Sequence, residues 1–333
     1  MLPINRVIID KETGFNPIWI MRQAGRYLPE FREIRSKNTD FIKLCLNEDL
    51  SAEITLQPLK RFNLDAAIIF SDILMVPYGL GQNVEFKKNF GPNLGKIDVE
   101  SLFTMREDKF TKRLSPIYQL LKNLNKSEKL KNKDLIGFVG APWTLLVYMI
   151  NKLSPKNGLS EEFFKDSKLI ENLLTVLDKF IKIHIKNQVN SGATIIQIFD
   201  SWAGLIKNNH NEYLYSPTLS LVEYTKSLGV PVICFPRGIS DYTKFCKIVK
   251  PSMVNIDYNI NPKNLISKID VPIQGGLDPK ILLTDKDNLK IEVTKYLDVF
   301  RDHPYVFNLG HGILPETQIH MVEELVKIVR NYK

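Results

Sequence analysis

Short runs of apolar and β-branched residues recur along the chain, separated by longer amphipathic or polar segments. Most of the runs are continuously apolar rather than alternating with polar residues, a pattern typical of parallel strands buried on both faces. We predict eight strands, at Pro17–Met21, Ala66–Phe70, Leu135–Val139, Thr194–Phe199, Pro231–Phe235, Met253–Ile256, Val271–Gln274 and Tyr305–Leu309. Parallel strands need crossover connections, so helices are expected between the runs.

Helical patterns do occupy these connecting segments. They cover Leu50–Phe62, Phe163–Gln188, Tyr213–Leu228, Leu289–Phe300 and Pro315–Arg330. The last begins with a proline, which is common in the first turn of a helix. Eight strands that alternate with helices favour a closed (β/α)8 barrel, or TIM barrel, over an open sheet. Because no linker rich in Pro, Gly or Ser divides the chain, we predict one domain over residues 1–333.

Two segments do not fit a minimal strand–helix repeat. Tyr78–Gly95 is too long and too rich in turn residues for a simple connection, and it predicts a hairpin-like excursion at the surface. Lys122–Asp134 is rich in Lys and Asn and predicts a loop or a frayed helix end before the third strand.

In a (β/α)8 barrel the active site lies at the carboxyl ends of the strands, so the residues that follow each predicted strand are informative. Polar residues, and one glycine, occur there repeatedly: Arg22, Gln23, Gly25, Arg26, Ser71, Asp72, Tyr148, Asp200, Ser201, Arg237, Asp257, Tyr258, Asp278 and His311. Arginines, hydroxyls, carboxylates and one histidine therefore converge on one rim. This mixture suits a small acidic molecule that carries several carboxylates.

Arg22 and Arg26 form the most informative pair. A guanidinium offers a planar fork of donors that can bind a carboxylate with two hydrogen bonds and remains charged at any working pH. Gly25 lets the backbone between them approach a ligand closely. The alternative is that both arginines pair with Glu30 and Glu33 and only stabilise the loop. Their position directly after the first strand favours a ligand.

Asp72 lies between the apolar runs AAIIF and ILMVP. A carboxylate in such surroundings needs a partner, because burying an unpaired charge is costly. Two interpretations are open: a structural ion pair with a lysine of the barrel, or a carboxylate that awaits N–H donors from a ligand.

Tyr148, Ser201 and His311 are weaker candidates taken singly. Tyr148 in WTLLVYMI is favoured as a core aromatic, whereas Ser201 in FDSWAG is a small hydroxyl after a strand end. No base accompanies Ser201 and G-x-S-x-G is absent, which argues against a nucleophile. His311 stands between Gly310 and Gly312, and this setting favours ligand contact.

Composition narrows the function class. The net charge of +8 is compatible with an anionic substrate, but Lys and Asn are spread along the chain, which is typical of compositional bias.

Cys45, Cys234 and Cys246 form no CxxC pair, so we expect reduced thiols in a cytoplasmic protein. The N-terminus lacks the apolar core of a signal peptide, and no apolar run is long enough for a membrane span. Metal-ligand and glycine-rich phosphate motifs are absent, so neither metal nor cofactor is expected.

At this level of detail the motifs resemble those of a known family. Trp19–Arg35 (WIMRQAGRYLPEFREIR) resembles the first signature of the uroporphyrinogen decarboxylases, and Gly137–Met149 (GFVGAPWTLLVYM) resembles the second. The runs FSDILMVP, FDSWAG and NLGHGILPET follow in the family's order and spacing. The resemblance covers about residues 15 to 320. One departure is Gly276 in QGGLDP, where the family pattern has asparagine.

The resemblance implies roles for particular residues. Those that match the family's substrate-binding positions are Arg22, Gln23, Ala24, Gly25, Arg26, Asp72, Tyr148, Ser201 and His311. Of these, Arg22, Arg26 and Asp72 are implied to be catalytic, with Asp72 meeting the pyrrole N–H groups and the arginines binding substrate carboxylates. Arg35 is a further candidate for a carboxylate contact.

The resemblance also implies an activity. The family removes the four acetate carboxyls of uroporphyrinogen III, giving coproporphyrinogen III and four CO2 in haem biosynthesis. It needs no cofactor and acts as a cytoplasmic homodimer, without nucleic acid or membrane partners.

Two other function classes compete with this one. A corrinoid-dependent methyltransferase with a thiolate–histidine zinc site would share the barrel, but the sequence has no His-x-Cys element. A non-enzymatic basic module that binds nucleic acid would explain the charge, but the lysines are scattered and no recognition motif is present.

Overall fold

The computed structural model describes residues 1–87, 91–155 and 158–332. Its strands are β1 (Ala66–Ile68), β2 (Val84–Lys87), β3 (Gly91–Leu94), β4 (Asp134–Gly140), β5 (Ile195–Asp200), β6 (Val232–Pro236), β7 (Met253–Ile256), β8 (Ile273–Gly275) and β9 (Tyr305–Val306). Seven of them form one parallel sheet in the order β1-β4-β5-β6-β7-β8-β9. This confirms seven of the eight predicted strands, with ends that shift by a few residues.

Helices fill the connections between the strands. They are α1 (Pro3–Ile9), α2 (Pro29–Lys37), α3 (Phe41–Cys45), α4 (Glu48–Arg61), α5 (Met75–Gly79), α6 (Val99–Phe103), α7 (Glu107–Leu124), α8 (Pro142–Asn151), α9 (Ser167–Asn190), α10 (Ser216–Ser227), α11 (Tyr242–Val249), α12 (Lys263–Ile266), α13 (Lys286–Val299) and α14 (Ile319–Asn331). The fold is thus a mixed α/β fold with a curled parallel sheet. None of the described helices is long and apolar enough to cross a membrane.

The prediction of a first strand at Pro17–Met21 is wrong. Within the described part of the chain, the segment forms a single isolated parallel bridge, from Ile18 to Phe307. The reason is that side chains take the N–H groups that a neighbouring strand would otherwise bind. The Ile18 N–H donates to Asp65 Oδ2 at 2.6 Å and the Met21 N–H donates to Asn308 Oδ1 at 2.8 Å.

The segment still connects both edges of the sheet. The Phe307 N–H donates to the Pro17 carbonyl at 2.8 Å, next to β9. On the other side, the Asp65 N–H donates to the Ile18 carbonyl at 2.9 Å, immediately before β1. The loop that follows this segment therefore starts where the two edges of the curled sheet come together.

Alternate residues of the strands point to opposite faces and build two apolar clusters. The larger cluster packs between the sheet and the surrounding helices. The smaller one lies inside the curl and contains Ala66, Ile136, Ile195, Ile233, Met253 and Val306, together with Ile4, Val7 and Ile8 of α1. Helix α1 is fixed there because the Ile4 N–H donates to Asp134 Oδ2 at 2.7 Å, at the start of β4. With α1 at the amino ends of the strands, the carboxyl ends remain for a ligand.

The other sequence predictions have mixed outcomes. The hairpin is confirmed, because β2 and β3 pair in antiparallel register within Tyr78–Gly95; residues 88–90 of that range lie outside the described residues. Lys122–Asp134 contains the end of α7 and a short 3-10 turn. Pro315 does not open the last helix, which begins at Ile319; the Thr317 N–H instead bonds to the Leu314 carbonyl at 3.1 Å, in a turn that precedes α14.

Candidate active site

The loop of residues 22–26 begins with a strained residue. Arg22 has φ 64°, in the left-handed region that non-glycine residues rarely occupy. Such strain persists only where the surroundings fix it, and it concentrates at functional sites. Here the Gln23 N–H closes a tight turn onto the Ile20 carbonyl at 2.8 Å. The backbone thus fixes where the Arg22 side chain starts.

Gln23 holds this loop through its side chain. It is buried, its Oε1 accepts from the Ile20 N–H at 3.0 Å, and its Nε2 donates to the Ala66 carbonyl at 3.1 Å. Its amide group is therefore occupied with backbone, and any contact with a ligand would come from the main chain. The half-buried Ala24 and Gly25 complete the loop.

Neither arginine of the loop forms the structural ion pairs that were the alternative explanation. Glu30 pairs instead with Arg61 at 2.6 Å, and Glu33 pairs with Lys37 at 2.8 Å. Arg22 and Arg26 are both exposed to solvent. The stem of Arg22 is nevertheless enclosed, because its Cδ lies 2.3 Å from where a Cβ on Gly312 would stand. This enclosure lowers the pKa of Arg22, while the carboxylate of Asp72 opposes the shift.

Asp72 follows β1 and is half-buried. Its Oδ1 accepts from the Leu74 N–H at 2.8 Å. No basic side chain lies within salt-bridge distance of it in residues 1–87, 91–155 and 158–332, so the predicted alternative of a lysine ion pair is wrong for this part of the chain. Burial raises the pKa of Asp72 to about 6, against the opposing effects of the Leu74 N–H and the charge of Arg22.

Tyr148 and Ser201 lie on adjoining elements after β4 and β5. Tyr148, on α8, is buried and packs edge-on against Trp202 with the ring centroids 5.9 Å apart. Its pKa is raised by burial, and the charge of Asp72 raises it further. Ser201 is half-buried and directly follows β5. The core interpretation of Tyr148 is therefore incomplete, since its hydroxyl lies within electrostatic reach of Asp72.

A buried network that the sequence did not predict supports this part of the site. The Thr144 hydroxyl donates to Asp200 Oδ1 at 2.6 Å and accepts from the Trp202 N–H at 3.0 Å. Burial raises the pKa of Asp200 to about 7. The pair fixes the turn that carries Ser201. Its signal in the sequence was Asp200 at the end of a strand, followed by a small hydroxyl.

His311 lies on the loop after β9, and the structure explains its flanking glycines. A Cβ on Gly310 would lie 2.4 Å from the Tyr258 backbone nitrogen, and one on Gly312 would overlap the Arg22 side chain. Burial, together with the charges of Arg22 and Arg237, lowers the pKa of His311 to about 4. The imidazole is therefore neutral at pH 7, with one N–H to donate.

Arg237, which the sequence placed on the rim without assigning it a role, lies near these residues. It follows β6 and is half-buried, and its charge lowers the pKa of both Arg22 and His311. The signal for it was only its position after the fifth predicted strand. The structure thus brings together Arg22, Arg26, Asp72, Tyr148, His311 and Arg237 around one recess at the carboxyl ends of the strands.

Gly276, the departure from the family pattern, has a local explanation. It adopts φ 99°, and a Cβ there would stand 1.8 Å from the hydroxyl of Tyr296. The preceding Gly275 also has a positive φ, of 80°. Tyr296 therefore occupies the space that a side chain at position 276 would need.

The described residues contain no group of three or more His, Cys, Asp or Glu side chains that could hold a metal ion. Cys45, Cys234 and Cys246 are all buried free thiols. Burial raises the pKa of each of them.

Comparison with known proteins shows which family the chain resembles. A family model described as uroporphyrinogen decarboxylase matches residues 3–332. A uroporphyrinogen decarboxylase of Rickettsia bellii is 40% identical over 324 residues, covering 95% of each chain. One of Orientia tsutsugamushi is 40% identical over 332 residues, covering 96% of this chain and 95% of the relative.

A solved structure shows the same fold at greater distance. A methyltransferase from Methanosarcina mazei aligns with a TM-score of 0.77 at 16% sequence identity, covering 98% of this chain and 97% of that one. At this identity the likeness concerns the fold alone. The sequence matches are far stronger, and by them the chain belongs to the uroporphyrinogen decarboxylase family.

Proposed function

We propose that this protein is a uroporphyrinogen decarboxylase, a cofactor-independent carboxy-lyase that converts uroporphyrinogen III into coproporphyrinogen III and four CO2. Membership of the family supports the activity. The observation at the site that carries the proposal is Asp72, a half-buried carboxylate without a salt bridge among the described residues, beside the cationic Arg22.

The charges of the recess match those of the substrate. Uroporphyrinogen carries eight carboxylates around a ring of four pyrroles, each with one N–H group. Arg22 and Arg26 supply cations for the carboxylates at the periphery. Asp72 supplies an acceptor for the N–H groups at the centre. A neutral substrate would leave both kinds of group without a partner.

The reaction needs a place for the electron pair of the bond that breaks. A proton added to a pyrrole ring carbon generates a cation, which accepts the electrons of the C–CO2 bond as CO2 leaves. A proton then adds to the exocyclic carbon, which becomes a methyl group, and the ring carbon loses its added proton. The substrate is therefore its own electron sink, whereas many enzymes use a cofactor for this purpose.

Asp72 would stabilise the transient cation, because its negative charge is already in position before positive charge develops on the pyrrole. Arg22 and Arg26 would orient the acetate that reacts. Tyr148, Ser201 and the neutral His311 would donate hydrogen bonds to the remaining carboxylates. Arg35, which stacks over Phe41 at 5.5 Å and follows the loop on α2, would add a more peripheral contact.

The architecture and assembly are part of the proposal. The hydrogen bonds that Pro17 and Ile18 make to residues at both sheet edges support closure into an eight-position barrel of one domain. A homodimer is proposed on the family resemblance alone. Sedimentation velocity of the purified protein tests it, and a single species at the mass of one chain would contradict it.

A direct assay tests the activity. The purified protein is incubated anaerobically with uroporphyrinogen III in buffer containing a chelator and no added cofactor, and the products are oxidised and separated by chromatography. We expect hepta-, hexa-, penta- and tetracarboxylate porphyrins to appear in turn. Absence of any product, or activity only after a metal or organic cofactor is added, would overturn the proposal.

Replacement of Arg26 by lysine is expected to lower kcat/KM about tenfold. Lysine keeps the positive charge but loses the two-pronged geometry, and a lost charge-assisted contact costs roughly 1.5–3 kcal/mol. Arg106→Lys is the matched control, because Arg106 is an exposed arginine that pairs with Asp108 at 3.0 Å. Steady-state kinetics compare the two variants. If Arg26→Lys is as active as the control, Arg26 has no specific contact with the substrate.

A further inference from the structure

We infer that Arg237 binds a substrate carboxylate on the wall of the recess that faces Arg22, and that it determines affinity for the octacarboxylate. This inference rests on the proposed function. It assigns a role to a residue outside the motifs that carry the family resemblance, in PVICFPRGIS.

The first observation is the position of Arg237 in the sheet. It directly follows β6, the middle strand in the order of seven. Arg22 follows the segment that bonds to both edges of that sheet, at Phe307 and Asp65. In a curled sheet the end of the middle strand faces the place where the edges approach each other. Arg237 and Arg22 therefore stand on facing walls.

The second observation is that the backbone of Arg237 is held on both sides. Its N–H donates to the Asp200 carbonyl at 3.1 Å, and its carbonyl accepts from the Gly204 N–H at 2.9 Å. The adjoining Gly238 N–H donates to Asp257 Oδ2 at 2.8 Å. The two loops touch so closely that a Cβ on Gly204 would lie 2.7 Å from the Gly238 carbonyl oxygen. The arginine is thus presented from a rigid base.

The third observation is that the described carboxylates around Arg237 do not pair with it. Asp200 accepts from Thr144 through Oδ1, and Asp257 accepts from the N–H groups of Gly238 and Asn259. Asp241 caps α11. Within residues 1–87, 91–155 and 158–332, no carboxylate lies within salt-bridge distance of Arg237.

The fourth observation is where the charge of Arg237 acts. It disfavours the charged forms of Arg22 and of His311, which belong to loops on the facing wall. Like charges that converge on one recess repel each other until an anion lies between them. An octacarboxylate ring spanning the recess would supply that anion to Arg237 while Arg22 binds another carboxylate.

The test uses Arg237→Gln and Arg237→Lys, with Arg301→Gln as the matched control. Arg301 is an exposed arginine that pairs with Asp298 at 3.0 Å on the outer surface. Four quantities are measured: KM and kcat for uroporphyrinogen III, the Kd of the oxidised octacarboxylate uroporphyrin from fluorescence quenching, and the melting temperature.

For Arg237→Gln we expect KM and the Kd of uroporphyrin to rise about tenfold, with kcat within about threefold of the unmodified protein, because one charge-assisted contact is lost. Arg237→Lys should recover part of the affinity, and the melting temperatures should agree. An unchanged KM and Kd in Arg237→Gln would overturn the inference. So would a loss of activity that appears only in kcat and tracks a lower melting temperature. If the unmodified protein neither binds uroporphyrin nor decarboxylates uroporphyrinogen, the proposed function itself fails.

Discussion

Asp72→Asn is expected to lower kcat on uroporphyrinogen III by about 10²–10³ while the protein folds normally. The amide is nearly the same size as the carboxylate and can still accept the Leu74 N–H through its oxygen. It is neutral, however, so it cannot stabilise a protonated pyrrole. Loss of one preorganised electrostatic partner costs about this much in known enzymes.

The effect of Asp72→Asn on stability has a definite sign. Burial raises the pKa of Asp72 from 3.8 to about 6 in the folded protein. The folded state therefore binds a proton more tightly than the unfolded state, and stability through this group falls as pH rises from about 4 to about 6. At pH 7 the ionised Asp72 is a net cost to folding. Asparagine removes that cost, so the melting temperature of the variant should be equal or higher.

The same pKa predicts the pH dependence of the unmodified protein. If the ionised Asp72 is required, kcat/KM should fall as pH drops below about 6. The residual kcat/KM of Asp72→Asn should not show this fall below about pH 6. Asp241→Asn serves as the control, because Asp241 also accepts a backbone N–H, from Lys244 at 2.8 Å, but only caps α11. A strongly destabilised Asp72→Asn that keeps full activity per folded molecule would refute the role of Asp72.

Gly312→Ala is expected to lower kcat/KM by about 10² with little change in stability. The added Cβ would stand 2.3 Å from Arg22 Cδ and 2.8 Å from Arg22 Cγ, so the arginine must move. The backbone of Arg22, at φ 64°, is held by the turn onto Ile20, so it cannot move freely with the displaced side chain. A displacement of about 1 Å in a positioning group can cost about 10²-fold in rate.

Steady-state kinetics and thermal melting check this prediction on one preparation. Gly95→Ala is the control, since its Cβ would also meet a side chain, Asn83 Cβ at 3.1 Å, but on the β2–β3 hairpin. Unimpaired kinetics in Gly312→Ala would show that the position of Arg22 does not matter for turnover. A large drop in melting temperature would instead show that Gly312 serves the fold.

The sequence alone determined seven strands of the parallel sheet and the identity of most candidate residues. The continuous apolar runs at β4 to β7 correspond to strands in the structure because burial on both faces of a parallel sheet leaves a local pattern. Asp72 and Arg22 could be singled out because each comes within two residues of the end of an apolar run. The motifs around them also sufficed to indicate the family.

The tertiary structure decided which of these residues are free to act. Glu30 pairs with Arg61 and Glu33 pairs with Lys37, so both arginines of the loop lack the partners of the alternative interpretation. Gln23 proved to be occupied with the Ala66 backbone. Such outcomes depend on groups that come from separate elements, and no local pattern records them.

The tertiary structure also decided the conformation of residues 17–21 and the position of Arg237 relative to Arg22. Residues 17–21 have the composition of a strand, but Asp65 and Asn308 take the N–H groups of Ile18 and Met21. Arg237 looks like an ordinary loop arginine until the curl of the sheet sets it opposite Arg22. In both cases the deciding contacts join residues far apart in the chain, whereas hydrophobic periodicity reports only on neighbours.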